Sequence, residues 1–327
     1  MANGADIPYQ LRPNKFIDRQ IFIELLSKVV PQRSHGKYVY ISMGGKHLVD
    51  HEAVYRRIGI KNLFSFDGDE ITVARQNCNR PHDRAVCEHM LSSGLAGSMD
   101  RILKQFDSAE HCVIWLDYTS ADRLAQIQEF TEVLKRCQPG DVARITLNAK
   151  IAASDKDWQE SGLNGPGEYR AKVLRDQLGD FFPAEIESVP NDQVPFVLAK
   201  CIALACSEAQ SESNCIFLPI LLTSYADGQR MFTATVIAHA PGERLIEGLQ
   251  GWEFLTKNWS KIIEISAPDL SIREKIEIDK HLKKSPKAIM KRVKFQPSSE
   301  LDDAEHAIAS YKRLHRFYPT FYAIGLQ

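Results

Sequence analysis

The chain has 327 residues, 44% of them hydrophobic and 25% charged, with 41 basic against 42 acidic side chains. That composition excludes a disordered chain, and the near-neutral balance excludes a polyanion trap over the whole surface, leaving only local basic patches to consider. No stretch has the uninterrupted apolar length of a membrane span, and MANGADIPYQLRPNK has no signal-peptide core, which predicts a cytoplasmic protein.

Residues up to about Pro13 read as an irregular arm. From Phe16 to Val30, Phe16, Ile17, Ile21, Leu25, Leu26 and Val29 recur at helical spacing, and Pro31 with QRSHG ends the helix. Tyr38 to Met43 is a β-rich run broken at Gly44-Gly45, and His47 to Ile58 predicts a helix stopped near Gly59. Asn62 to Phe66 predicts a second strand ending at Asp67-Gly68-Asp69, followed by a helix over Glu70 to Asn77 that Asn79-Arg80-Pro81 terminates.

Arg84 to Met90 is a third, weaker strand, and Gly97 to Phe106 is helical in pattern. His111 to Leu116 (HCVIWL) is the cleanest strand and ends at Asp117-Tyr118. An amphipathic helix over Leu124 to Cys137, closed by Pro139-Gly140, leads to a strand over Val142 to Leu147. Continuous apolar strands alternating with helices predict a parallel sheet covered on both faces.

Ala152 to Gly167 is polar and Gly-rich, and predicts an exposed loop. Helices are predicted over Tyr169 to Leu178 and Val194 to Ala209. Ile216 to Tyr225 and Met231 to His239 are apolar runs joined by Ala226-Asp227-Gly228-Gln229, a strong hairpin signal. From about Gly242 the character changes: aromatic GWEFLTKNW, an amphipathic helix near Ser271 to Leu282, the basic KHLKKSPKAIMKRVK, and a final helix over Leu301 to Arg316. The reading is therefore a main domain over residues 1–241 and a mainly helical extension over 242–327.

Parallel βα units followed by a late antiparallel hairpin resemble class I S-adenosylmethionine-dependent methyltransferases, whose sheet ends in this way. LRPNKFIDRQIF, YISMGG, FSFDGDE, QNCNRP and WLDY are, more narrowly, similar to a bacterial group of O-methyltransferases, over Leu11 to His239 and more loosely through the tail. The resemblance implies a Rossmann-like α/β sheet, mostly parallel, with helices on both faces. It also implies S-adenosylmethionine as cofactor and O-methyl transfer to an acceptor that the sequence does not reveal.

Ligands of open α/β sheets bind at the carboxyl ends of the strands. At the first, beside Met43, Gly44 and Gly45 would let backbone N–H groups approach a ligand, or form a plain turn. At the second, Asp67 with Gly68 can take a ribose diol, about 20 residues past the glycines as such folds require, while Asp69 caps the next helix. By the resemblance, Leu91, Ser92 and Ser93 fall where the adenine is contacted; a helix N-cap at Ser92 or Ser93 is the competing reading.

At the fourth strand end, by the same resemblance, Asp117 faces the methyl group and acceptor, as general base or to orient the nucleophile, and Tyr118 walls the pocket. Turn chemistry is the competing reading of Asp117.

The first loop departs from the methyltransferase pattern: its two glycines are adjacent, no acid ends the first strand, and Lys46 and His47 stand where small residues are usual. A second function therefore stays open, a non-catalytic Rossmann-like nucleotide-binding module acting with a protein partner.

Lys280, Lys283, Lys284, Lys287, Lys291, Arg292 and Lys294 could touch phosphates, with Trp252, Phe254 and Trp259 to stack. Nearby Glu274, Glu277, Asp279, Asp302 and Asp303 favour a solvated helix or a protein-partner surface over nucleic acid. Arg12, Lys15 and Arg19 could reach across the cleft mouth toward an anionic group, and a solvated helix face is the preferred reading. Seven cysteines without a CxxC pair read as free thiols in a reducing compartment. His51, His82, His89 and His111 lack metal-ligand spacing, so no metal is expected.

Overall fold

The computed structural model describes residues 12–151, 155–242 and 247–318. Helix α1 (Pro13–Val29) leads into strand β1 (Tyr38–Ser42), which is buried along its whole length. The predicted helix from His47 starts later, as α2 (Val49–Ala53) and a π-helical turn over Val54–Ile58, because Leu48 takes a left-handed conformation at φ 49°. Then β2 (Asn62–Asp67), α3 (Glu70–Asn79), β3 (Val86–His89), α4 (Leu95–Leu103), β4 (His111–Asp117), α5 (Arg123–Arg136) and β5 (Val142–Asn148) alternate as the apolar pattern predicts.

The stretch predicted as a loop before residue 167 contains a short helix, α6 (Asp155–Glu160), and α7 (Pro166–Leu178) begins with a proline at its first turn, where the missing N–H costs nothing. Helix α8 (Val194–Glu212) precedes the hairpin of β6 (Ile216–Asp227) and β7 (Gln229–His239). The tail expected to be mainly helical first supplies a short strand, β8 (Ile263–Ile265), then α9 (Ile272–Asp279), α10 (Pro286–Met290) and α11 (Leu301–Leu314). Among the described residues no helix is long and apolar enough to cross a membrane.

The strands form one sheet in the order β3-β2-β1-β4-β5-β7-β6-β8. Pairings from β3 to β5 are parallel, and β7 enters antiparallel beside β5, from Val142 opposite Ile237 to Asn148 opposite Met231. The order reverses between β1 and β4, so the cleft expected of an open α/β sheet lies at the carboxyl ends of those two strands. Val39, Ile41, Phe64, Ile114, Leu116, Ile145 and Leu147 form one face of the central strands, and α4, α5, α7 and α8 bury it with Leu95, Phe130, Leu174 and Leu198. Truncating any one of these to alanine would cost about 2–5 kcal/mol.

The chain divides into two compact units. The larger holds residues 22–224 and 229–263 and contains most of the sheet. The smaller holds the described residues of 1–21, 225–228 and 264–327, around a core of Leu270, Ile278, Ile289, Ile308 and Tyr311. In the smaller unit Asp227 accepts the N–H groups of Asn14 (3.2 Å) and Lys15 (2.8 Å), and so caps the first turn of α1 from 212 residues away. Gly228 beside it turns the hairpin at φ 99°.

Candidate functional site

Strand β1 stops at Ser42, which pairs in register with Ser65 of β2 on one side and Trp115 of β4 on the other. Both neighbours run two residues further, to Asp67 and Asp117. The Gly44-Gly45 turn thus falls in a notch with a carboxylate on each wall, about 10 Å apart across two inter-strand spacings. Period-two alternation sends both side chains to the face that carries Ser42, Ser65 and Trp115.

The turn is held from within. Gly44 (φ 67°) and Gly45 (φ 55°) are both left-handed. A Cβ on Gly44 would come within 2.6 Å of Leu48 and 2.8 Å of His51, so packing alone requires glycine there. Its N–H donates to Ser42 Oγ at 3.2 Å, and the Gly45 N–H donates to the Met43 carbonyl at 2.7 Å. The expectation of N–H groups open to a ligand is therefore corrected: both are taken by the chain itself.

Three further side chains clamp this turn. Gln76, fully buried on α3, donates to the carbonyls of Met43 (2.8 Å) and Gly45 (3.3 Å), Asn79 donates to Lys46 (2.8 Å), and Ser65 donates to Met43 (3.3 Å). Gln76 and Asn79 lie in QNCNRP, a string whose family likeness was visible in the sequence while its task was not. Behind the turn, the buried Asp50 accepts the hydroxyls of Tyr40 and Ser42, each at 2.7 Å. His51 donates from Nε2 to the Phe64 carbonyl and turns Nδ1 to Asp50 at 3.5 Å.

At the end of β2 the two aspartates divide their tasks as the sequence predicts for capping. Asp69 caps α3, accepting the N–H groups of Ile71 and Thr72 and the Thr72 hydroxyl, which hold its carboxyl below the usual range. Asp67 does not cap; its Oδ1 accepts the Asp69 N–H at 2.9 Å. Burial pushes the Asp67 carboxyl above its usual range, only partly opposed by that hydrogen bond and by the neighbouring His89. Gly68 is small because Leu91 crosses it: an added Cβ would stand 2.8 Å from Leu91 Cδ2. Leu91 (66% exposed) and Ile71 (73% exposed) leave apolar surface open beside Asp67.

Ser92 and Ser93 lie in a 3-10 turn, Ser92–Gly94, and neither caps α4, whose N-cap Gly94 carries no side-chain bond. Ser92 instead reaches the hydroxyl of Tyr118, which donates to Glu129 Oε2 at 2.5 Å. Burial, then Glu129, drives the Tyr118 phenol far above its usual range, so it acts as a neutral wall. Asp117 is half-buried, in register with Thr146, whose hydroxyl receives Trp115 Nε1 at 2.9 Å. Beyond β5, the buried Arg123 grips the carbonyls of Asn148 and Lys150, each at 2.7 Å, and Gln177 Oε1 at 2.6 Å, fixing the adjoining strand end. Nothing in its local sequence announces that role.

A family profile described as "Putative O-methyltransferase" matches residues 7–326. A search of curated proteins returns no match. Among solved structures the chain is similar to a putative methyltransferase from Thermobifida fusca YX, at 10% identity over 71% of this chain and 86% of that one, with a TM-score of 0.38. It is similar also to a Clostridium acetobutylicum S-adenosylmethionine-dependent methyltransferase, at 12% identity over 71% and 93%, with a TM-score of 0.37. For the Bacillus cereus O-methyltransferase in complex with SAH the values are 14%, 66%, 79% and 0.36.

Proposed function

The chain belongs to the family described as "Putative O-methyltransferase", and from that premise we propose that it binds S-adenosylmethionine across the ends of β1, β2 and β4 and transfers the methyl group to an acceptor hydroxyl. The observation that carries this reading is the notch itself: Asp67 and Asp117 project past β1 on either side of a rigidly held Gly44-Gly45 turn, at the point where strand order reverses. The groups at the β2 end suit a nucleoside. Asp67 offers an acceptor to a ribose diol, and Ile71 and Leu91 offer apolar surface to a base.

The cofactor supplies an electrophilic methyl carbon; the chain supplies position and a proton acceptor. Met43, Gly44 and Gly45 form a preset floor, shaped by Gln76 and by Asp50 through Ser42. Ser92 and Ser93 line the base end beside Gly68, and the Tyr118 ring walls the acceptor side. With the cofactor bound, Asp117 would accept the proton of the acceptor hydroxyl, so that the oxygen could take the methyl group the cofactor would supply. Seven free cysteines, five of them buried, support a cytoplasmic setting.

Calorimetric titration with S-adenosylhomocysteine, beside an Asp67→Ala variant, tests the reading. Binding that disappears in the variant supports the assignment. Absence of binding at millimolar ligand refutes it and favours the non-catalytic module, to which the internally satisfied N–H groups of the first turn also point.

A further inference from the structure

The smaller unit carries a basic surface whose charge the rest of that unit neutralises only in part. Between residues 280 and 299 the chain has seven lysines and arginines and no carboxylate. Lys280, Lys283, Lys284, Lys287, Lys291, Arg292 and Lys294 are all exposed. The acids nearby in sequence argue against a phosphate-binding role, yet the fold uses four of the five elsewhere and leaves only Glu277 among the cations. Asp279 accepts the Tyr311 hydroxyl at 3.0 Å, Glu274 closes the capping box of α9 with Ser271, and Asp302 and Asp303 occupy the first turn of α11, where the helix dipole favours them. Among the described residues, only Lys280 of the seven forms an ion pair, with Glu277.

The cations also converge. Lys280, through its hydrogen bond, and then His281 and Lys294 gather around Glu277 and hold its carboxyl below the usual range, while Lys312 of α11 donates to the Lys284 carbonyl at 2.7 Å. An end of α9, the following turn, α10 and the last turn of α11 therefore share one positive surface. The apolar residues between 280 and 299 are not available for insertion into lipid: Ile289 is buried in the unit's core, and Leu282, Met290, Val293 and Phe295 pack against it. An amphipathic membrane-surface helix sets a free apolar face beside its cations; residues 280–299 present none, and the exposed Ile272 and Ile276 lie before them on α9.

We infer that this surface binds the sugar–phosphate backbone of a nucleic acid, through Lys283, Lys284, Lys287 and Lys291. The inference is independent of the cofactor reading. Such binding is sequence-tolerant and is driven by release of counterions.

Fluorescence anisotropy with the full chain and a labelled single strand of about 20 nucleotides, as RNA and as DNA, reads it directly. Four phosphate contacts give a slope of about −2.8 in log affinity against log salt, or about a 50-fold loss from about 50 to about 200 mM salt. K283A/K284A/K287A should reduce the slope to about −0.7, and K283Q/K284Q/K287Q should do the same, with melting temperature and S-adenosylhomocysteine titration unchanged. That slope with either strand supports the inference. Lack of binding at low salt, or a slope that neither variant moves, overturns it. So does capture by phosphatidylserine vesicles when both strands fail.

Discussion

Asp67 and Asp117 stand at one level of the sheet, each two residues beyond the partner of Ser42, with the shorter β1 between them. The relationship follows from strand length alone. β1 ends early because Gly44 and Gly45 take left-handed conformations that no strand continues through, while β2 and β4 run on. Two carboxylates far apart in sequence thereby become the opposite walls of one notch.

Asp67→Asn should separate stability from binding. The folded pKa of Asp67 lies above its unfolded value, so the folded state holds the proton more tightly and stability falls as pH rises through that interval. The cost is fully present at neutral pH and absent below the unfolded pKa. The neutral amide removes it while keeping an acceptor for the Asp69 N–H. Melting temperature at pH 7 should rise, the gain should vanish near pH 3, and S-adenosylhomocysteine affinity should drop. A lower melting temperature at pH 7 would contradict the assignment of burial as the dominant influence.

Asp117→Asn should spare the cofactor and stop the chemistry. An amide cannot accept the acceptor proton, so turnover should fall by about 10²–10⁴-fold, measured as release of S-adenosylhomocysteine with an acceptor found by screening. Calorimetric affinity for S-adenosylhomocysteine should stay within about threefold, because the base contributes to proton transfer and not to nucleoside recognition. A comparable loss in both measurements would make Asp117 a structural residue.

The first turn should tolerate little change. Gly44→Ala meets both a left-handed φ and occupied space, costing about 1–2 kcal/mol for the backbone and about 1–3 kcal/mol more for overpacking. Gln76→Ala strips a buried donor from the Met43 and Gly45 carbonyls, and about 1–3 kcal/mol should be lost. Urea unfolding measures both. In Gln76→Ala, S-adenosylhomocysteine affinity should weaken as well, since the floor of the notch is no longer fixed.

Asp227→Ala should destabilise by about 1–2 kcal/mol, although the residue lies at a hairpin tip where substitutions are usually mild. The loss is that of a helix cap, because the carboxylate accepts two N–H groups of the first turn of α1. Asp227→Asn, which keeps one acceptor oxygen, should recover part of it. Equal melting temperatures for wild type and Asp227→Ala would show that water caps α1 equally well.

Native-state thiol titration should count few reactive groups. Cys112, Cys137, Cys201 and Cys206 are buried, and burial pushes each thiol well above its usual range, to about 12 for Cys201. The reactive thiolate is accordingly scarce there at neutral pH. With Ellman's reagent the exposed Cys78 should react first, and these four only on unfolding.

The sequence by itself determined what depends on near neighbours. Apolar runs such as HCVIWL placed the strands, glycines and prolines placed their ends, Asp227-Gly228 declared the hairpin, and the distinction between Asp69 as cap and Asp67 as free of capping could be read from helix-start chemistry. Local signals did not disclose that residues 155–160 form a helical turn or that the tail begins with a strand, because polar Gly-rich and short mixed segments carry no period. Only the tertiary structure decided which distant groups meet. Asp50 meets Tyr40 and Ser42, Gln76 and Asn79 clamp the first turn, Ser92 meets Tyr118, and of the tail's acids Asp279 meets Tyr311 while Glu277 pairs with Lys280. Such contacts are set by sheet register and helix packing over long separations, and a one-dimensional pattern holds no record of them.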